Sequence, residues 1–149
     1  MLAAPHSRRD HHAHHRHRTP GRAHPGRRAR DPARLTAALL EVSGLTGNPF
    51  FEPLIGATLH LLPTGRISAG GGAAKLILIE AKVPNIGLPT PADRAAFITA
   101  ATDIAAALTV PGHDRGNIWV NIVSAPDGGW GIGGRAYTGQ ALIDSITAA

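Results

Sequence analysis

One feature limits this chain's fold more than any other: shifted by 63 residues, its two halves align without a gap. Leu35, Ala38, Val42 and Leu45 fall on Ile98, Ala101, Ala105 and Leu108. Ala57 to Leu61 falls on Val120 to Ser124, Pro63 on Pro126, Gly65 on Gly128, and Gly70-Gly71 on Gly133-Gly134. Each half reads as a helix, a strand, a proline turn and a double glycine. Repetition at this scale implies two copies of one supersecondary unit sharing a core.

The local patterns give each unit its elements. From Asp31-Pro32 the apolar residues Leu35, Ala38, Leu39, Val42 and Leu45 recur at three- and four-residue steps, the signature of a helix, and Gly44 and Gly47 with Asn48-Pro49 end it. Pro53 to Leu62 is compatible with a strand. Pro63 to Arg66 is a turn, and Ser68 to Gly72 a glycine-rich link. Lys75 to Val83 (KLILIEAKV) is apolar on both faces and predicts an interior strand. Thr90-Pro91-Ala92-Asp93 is a helix start: Thr90 caps, Pro91 takes the first helical position, and Asp93 favours the positive end of the dipole. That helix runs through Leu108 and is expected to bury Phe97, Ile98, Ala101, Ile104, Ala105 and Leu108, with Pro111-Gly112 as its stop. Ile118 to Val123 is a strand, leading through Pro126-Asp127-Gly128-Gly129 to Trp130, and a last helix spans about Gly139 to Ile146.

The fold class expected is therefore α+β: two pseudo-repeated βαβ units, residues 31–72 and 73–138, form one sheet with two helices on one face, followed by the helix at 139–146. The second unit has a strand before its helix, at Lys75 to Val83. Its counterpart in the first unit should fall near residues 12–20, where the sequence is HAHHRHRTP. Those residues cannot make a buried strand, so the first strand of the first unit is missing or disordered.

Composition explains why. Residues 1–34 hold nine of the fifteen Lys+Arg, seven of the nine His and only two acids, Asp10 and Asp31. The other 115 residues carry six basic and eight acidic side chains, a net of −2, so the overall charge of +5 belongs to the tail. Residues 1–30 have almost nothing to bury and read as a disordered tail. A basic arm for nucleic acid is disfavoured because no aromatic is interleaved for base stacking. A metal-capture tract from His11, His12, His14, His15 and His17 has no fixed geometry to hold it. With no cysteine, neither a disulfide nor a thiolate site is available, which fits a cytoplasmic location. No apolar run reaches the roughly 18 residues of a membrane span, and no apolar segment follows the N-terminal charges as a secretory signal requires.

The tail has a second reading. Histidine codons are CAY and arginine codons usually CGN, so reading one base later turns His before His or Arg into Thr or Ile. Residues 12–17 then permit Met-Pro-Thr-Ile-Asp-Ile, and residues 23–27 permit Pro-Thr-Pro-Ala-Asp, the words standing at Pro89 to Asp93. The hypothesis is a frame error over the tail. A stop codon in the shifted frame of the nucleotide sequence, or no Met-Pro start, would sink it.

Trp130-Gly-Ile-Gly-Gly-Arg-Ala-Tyr-Thr, following a strand and Pro-Asp-Gly, resembles the tautomerase superfamily, in which an aromatic precedes Gly-Ile-Gly-Gly in 4-oxalocrotonate tautomerase-like members. The two-unit length, Gly44-Leu45-Thr46-Gly47, and Asp114-Arg115 leading into Ile118-Trp119-Val120 are similar to the fused branch that includes cis-3-chloroacrylic acid dehalogenase. The resemblance covers about residues 30–140. It implies a trimer, no cofactor and no metal, and a small carboxylate substrate. It also implies an N-terminal proline whose secondary amine shuttles a proton across an enol, with arginines holding the carboxylate.

Carried over residue by residue, that chemistry is incomplete. Ala74 stands where a single unit would carry the proline, and the family's strand arginine falls on Trp119 and Gly56. The dehalogenase branch's arginine falls near Lys82, its helix histidine on Val42, its tyrosine on Asn121 and its glutamate near Gly133, which disfavours hydrolytic dehalogenation. No catalytic residue is matched. The candidate substrate-binding residues are Lys82, Asn121, Trp130, Arg135 and Arg66. Trp130 could equally be a packing aromatic, Lys82 a solvated strand end, and His60 and His113 ordinary residues. Gly131 to Gly134 is no phosphate cradle, since no helix with Lys-Ser/Thr follows it. The function expected is a tautomerase-family isomerase moving a proton in a small keto/enol carboxylate; the alternative is a non-catalytic oligomeric binding protein of the same fold.

Overall fold

The computed structural model describes residues 32–149. In chain order they form α1 (Ala33–Val42), β1 (Ser68–Ala69), β2 (Gly72–Ala73), β3 (Ile77–Val83), α2 (Pro91–Leu108), β4 (Ile118–Ser124), β5 (Trp130–Ile132), β6 (Arg135–Tyr137) and α3 (Gly139–Thr147). Single turns of 3-10 helix stand at Glu52–Leu54 and Arg115–Asn117. The expected first strand near residues 12–20, the tail and its nucleic-acid and metal readings lie outside the described residues.

The second unit is a complete βαβ crossover. β3 and β4 pair in parallel over their full length, Ile77 with Ile118 through Val83 with Ser124, and Ala125 N extends the ladder to Val83 O at 2.9 Å. α2 starts as its sequence requires. Asp93 N donates to Thr90 Oγ1 at 3.1 Å while Thr90 N donates to Asp93 Oδ2 at 3.0 Å, a reciprocal capping box. The hydrogen bond from the Thr90 side chain, followed by that from its backbone, holds the Asp93 carboxyl below its ordinary value.

The core sits between this sheet and two helices on one of its faces. Leu88, Phe97 and Ala101 are fully buried, with Leu35, Leu39 and Val42 of α1 and Ile79, Ala81, Val120 and Ile122 of the strands packed around them. Leu88 holds a left-handed φ of 57°, which costs a branched residue roughly 1 kcal/mol. Its burial and two hydrogen bonds from Arg94 Nη1, to the carbonyls of Leu88 and Pro89 at 2.9 Å each, hold it there.

Four expectations need correction. The sheet is not single: β1–β2, β3–β4 and β5–β6 are separate two-stranded sheets. Pro53 to Leu62 is not a strand, because no neighbouring strand among the described residues takes up its backbone groups; a 3-10 turn precedes an unpaired run. β3 is not interior, since Leu78, Glu80 and Lys82 face away from the helices and are exposed. Ile98 is 39% exposed, because the helical stripe that meets the sheet is centred on Phe97 and Ala101.

The repeat nevertheless survives in the turns. Gly70 and Gly71 take φ of 58° and 83°, and Gly133 and Gly134 take 57° and 83°. Positive φ at both central residues is the two-residue hairpin turn that only glycine forms without strain, so β1–β2 and β5–β6 are the same hairpin at the same offset. The helices differ at their starts: α1 follows Pro32 with no side-chain cap, and α2 follows Thr90 with a full one.

Thr90→Ala should destabilise the chain by about 1 kcal/mol in denaturant unfolding, and Phe97→Ala by about 3–5 kcal/mol. Asp93 is held more acidic folded than unfolded. Its contribution is therefore complete above the unfolded carboxylate value and fades as pH falls through the lower folded one. Asp93→Asn should flatten that acid-side slope in stability against pH; an unchanged slope would count against the capping box.

Candidate functional site

The C-terminal end of β3, the end of α1 and the β5 hairpin meet in an apolar cleft. Leu39, Leu45, Phe51, Val83, Ile86 and Trp130 line it, and among the described residues Lys82 is the one charged residue at its walls. The space within this open cleft is about 30 Å³, room for a water-sized molecule. The fold brings Trp130 here for a clear reason. Pro126-Asp127-Gly128-Gly129 turns the chain back, with Gly129 N donating to Pro126 O at 2.8 Å, and Trp130 opens β5 opposite Tyr137. A β-carbon on Gly129 would lie 2.9 Å from Pro126 O, so the turn takes no side chain there.

Asp127 fixes this corner to the rest of the protein. Its Oδ1 accepts from Asn85 Nδ2 at 3.0 Å and from Gly139 N at 2.7 Å. One carboxylate oxygen thus joins the loop after β3, the turn after β4 and the start of α3. Gly139 is packed so closely that an added β-carbon would stand 2.8 Å from Ile86 Cγ2, itself a wall of the cleft. α3 is tied again at its far end, where Asn48 Nδ2 donates to Ile146 O at 3.1 Å.

The structure brings together two of the five candidate binding residues. Lys82 and Trp130 share the cleft, although the Lys82 side chain is 72% exposed and its Nζ lies 3.0 Å from Glu80 Oε1. Asn121 is exposed on the uncovered face of the β3–β4 sheet, opposite Glu80 in register. Arg135 lays its guanidinium over the Tyr137 ring, 4.6 Å from the centroid. Arg66 is exposed on the turn before β1. Among the described residues no group of three or more His, Asp or Glu side chains stands at metal-binding spacing.

A second, roomier cavity of about 300 Å³ lies between the Leu62–Ile67 turn and the approach to β3, lined by Leu62, Thr64, Ile67, Ala74, Lys75 and Leu76. Lys75 was not among the candidates read from the sequence. The signal was its place directly after Ala74, the position that the resemblance singles out. Ala74 itself is an internal residue whose N–H donates to Ile67 O at 2.9 Å, so that nitrogen has no lone pair to accept a proton.

No protein-family model matches this chain, and no curated protein matches it either. Among the described residues no helix is long and apolar enough to cross a membrane.

Asp127→Ala should cost about 1–3 kcal/mol, because it removes the carboxylate that accepts from the part-buried Gly139 N–H. Gly139→Ala should also destabilise, by overpacking against Ile86. Thermal melts of the two variants check both.

Proposed function

We propose that the chain is a tautomerase-like protein that takes a small keto/enol carboxylate, acting as an isomerase when a basic secondary amine is present. The observation that carries this reading is the continuous run from β4 through Pro126-Asp127 to a hairpin that puts Trp130 in a cleft beside Lys82. The cleft itself has room for no more than a water-sized molecule, so a small anion with a conjugated plane would sit at its mouth: the Trp130 ring packs on the plane, and the Lys82 ammonium draws the carboxylate. Proton transfer across an enol then needs a base with a value near neutrality, and the resemblance assigns it to an N-terminal proline. The resemblance also implies assembly into trimers, and the lack of cysteine fits a cytoplasmic location.

The second reading, a non-catalytic oligomeric binding protein, is favoured by Ala74. The position from which a proline would act in a single unit carries an acylated nitrogen already engaged as a donor. Both readings share the binding step and differ in the chemistry.

Mass spectrometry of the native N-terminus separates them: an N-terminal proline supports the isomerase, and an intact Met1 counts heavily against it. Binding is measured by quenching of Trp130 fluorescence in a Trp119→Phe background, with a small enol carboxylate as titrant. Lys82→Gln should weaken that binding about tenfold, equivalent to ~1.4 kcal/mol. No quenching at millimolar titrant would remove both readings.

A further inference from the structure

The first unit contains a run without turn, bend or strand partner where the second unit has a strand. Its helix and its glycine hairpin match those of the second unit at an offset of 63 residues, and the hairpin does so to within one degree of φ. Between them, Ala57 to Leu61 occupies the place of Val120 to Ser124 in β4. From Ile55 to Pro63 the chain runs without a turn or bend, and Thr58 Oγ1 reaches His60 Nε2 at 3.3 Å, as side chains two apart do on one face of a strand. Among the described residues, none of the backbone groups from Gly56 to Leu62 takes part in a hydrogen bond. Leu59, Leu61 and Leu62 are 52%, 66% and 57% exposed.

An exposed apolar strand edge is ordinarily blunted by a charge, a bulge or a covering element. Among the described residues this one has none of them: no residue from Pro53 to Gly65 is charged, and prolines mark only its ends. Its pattern is also complementary to itself. In an antiparallel pairing centred on Leu59, Leu59 meets Leu59, Ala57 meets Leu61, and Thr58 meets His60. Over Ala57 to Leu61 the apolar side chains fall on one face and the polar ones on the other, Leu62 joins the Thr58 and His60 face, and no like charges are opposed.

We propose that Ala57–Leu62 is a self-pairing strand that joins two copies of this chain through an isologous antiparallel contact. The contact is separate from the carboxylate cleft and from any threefold assembly, and stands or falls independently of the isomerase reading. A strand of this length buries less than a standard interface, so the association is weak and follows concentration.

The chain's lack of cysteine makes the test direct. Directly opposed residues of an antiparallel pair have Cα atoms about 4.5–5.5 Å apart, within disulfide range. Leu59→Cys in the full chain should therefore give a covalent dimer on diamide oxidation, seen on a non-reducing gel, while Ile143→Cys, exposed on α3, should not. Sedimentation velocity across a micromolar concentration series should show the unmodified chain dimerising. Leu59→Lys with Leu61→Lys should raise the midpoint concentration about tenfold or more by opposing like charges. Those side chains are solvent-exposed in the single chain, so the melting temperature at low concentration should stay unchanged. A monomer at every concentration, an oligomer indifferent to the lysines, or equal cross-linking at both cysteine positions would overturn the proposal. A trimer without the Leu59→Cys link would overturn it too, while leaving the threefold reading intact.

Discussion

Two parallel strands cannot be joined by a tight turn, and the described structure depends on how this chain meets that constraint. Between Val83 and Ile118 it must travel back along the sheet, and it does so through α2. The crossover also covers one face of a sheet that two strands could not stabilise alone. Phe97 and Ala101 occupy the contact, and Leu88 turns the chain into the helix at a backbone angle unfavourable for leucine. Arg94 reaches back from the first turn of α2 to the two carbonyls that this bend exposes. Strain and compensation thus lie within seven residues of each other. α1 then adds Leu35, Leu39 and Val42 to the same cluster and completes the layer.

What could be read from the sequence follows from which signals are local. The Thr90 cap, the span of α2 and the start of α3 at Gly139 were legible, because each rests on side chains that satisfy backbone groups a few residues away. The double-glycine hairpins were legible as repeats because positive φ at both central positions admits glycine without strain, although Ser68 to Gly72 read as a link and not as paired strands. That Pro53 to Leu62 forms no strand was not legible, because pairing is decided by a neighbour its own residues do not name. The uncovered face of β3 failed in the same way: Leu78 reads as a core residue, and only the small size of the sheet leaves it 55% exposed.

The site shows the same division. Trp130 lies in a cleft because its turn is locally determined by Pro126 and Gly129. Lys82 borders that cleft because it is one residue from the end of a strand whose register is fixed by pairing, and its side chain runs out to solvent beside Glu80. Asn121, Arg135 and Arg66 were chosen for chemistry and position on the chain, and each is elsewhere: on an open sheet face, over Tyr137, or on a turn. Asp127 and Lys75 were overlooked. Asp127 read as one letter of a turn motif, yet its carboxylate joins three segments that are distant in sequence.

The two functional readings come down to one atom. An amide nitrogen has its lone pair delocalised into the carbonyl, so the Ala74 nitrogen can donate, as it does to Ile67, and cannot take a proton from an enol. Replacing Ala74 by proline inside the chain would not change this, since an acylated proline is an amide as well and would lose that hydrogen bond besides. Only a chain that begins at such a proline has a secondary amine there, and burial beside apolar walls would then bring its value down toward neutrality. Isomerase chemistry is therefore a question about a chain end, while carboxylate binding is a question about Lys82 and Trp130. The second can be answered in the chain as it stands, whatever the answer to the first.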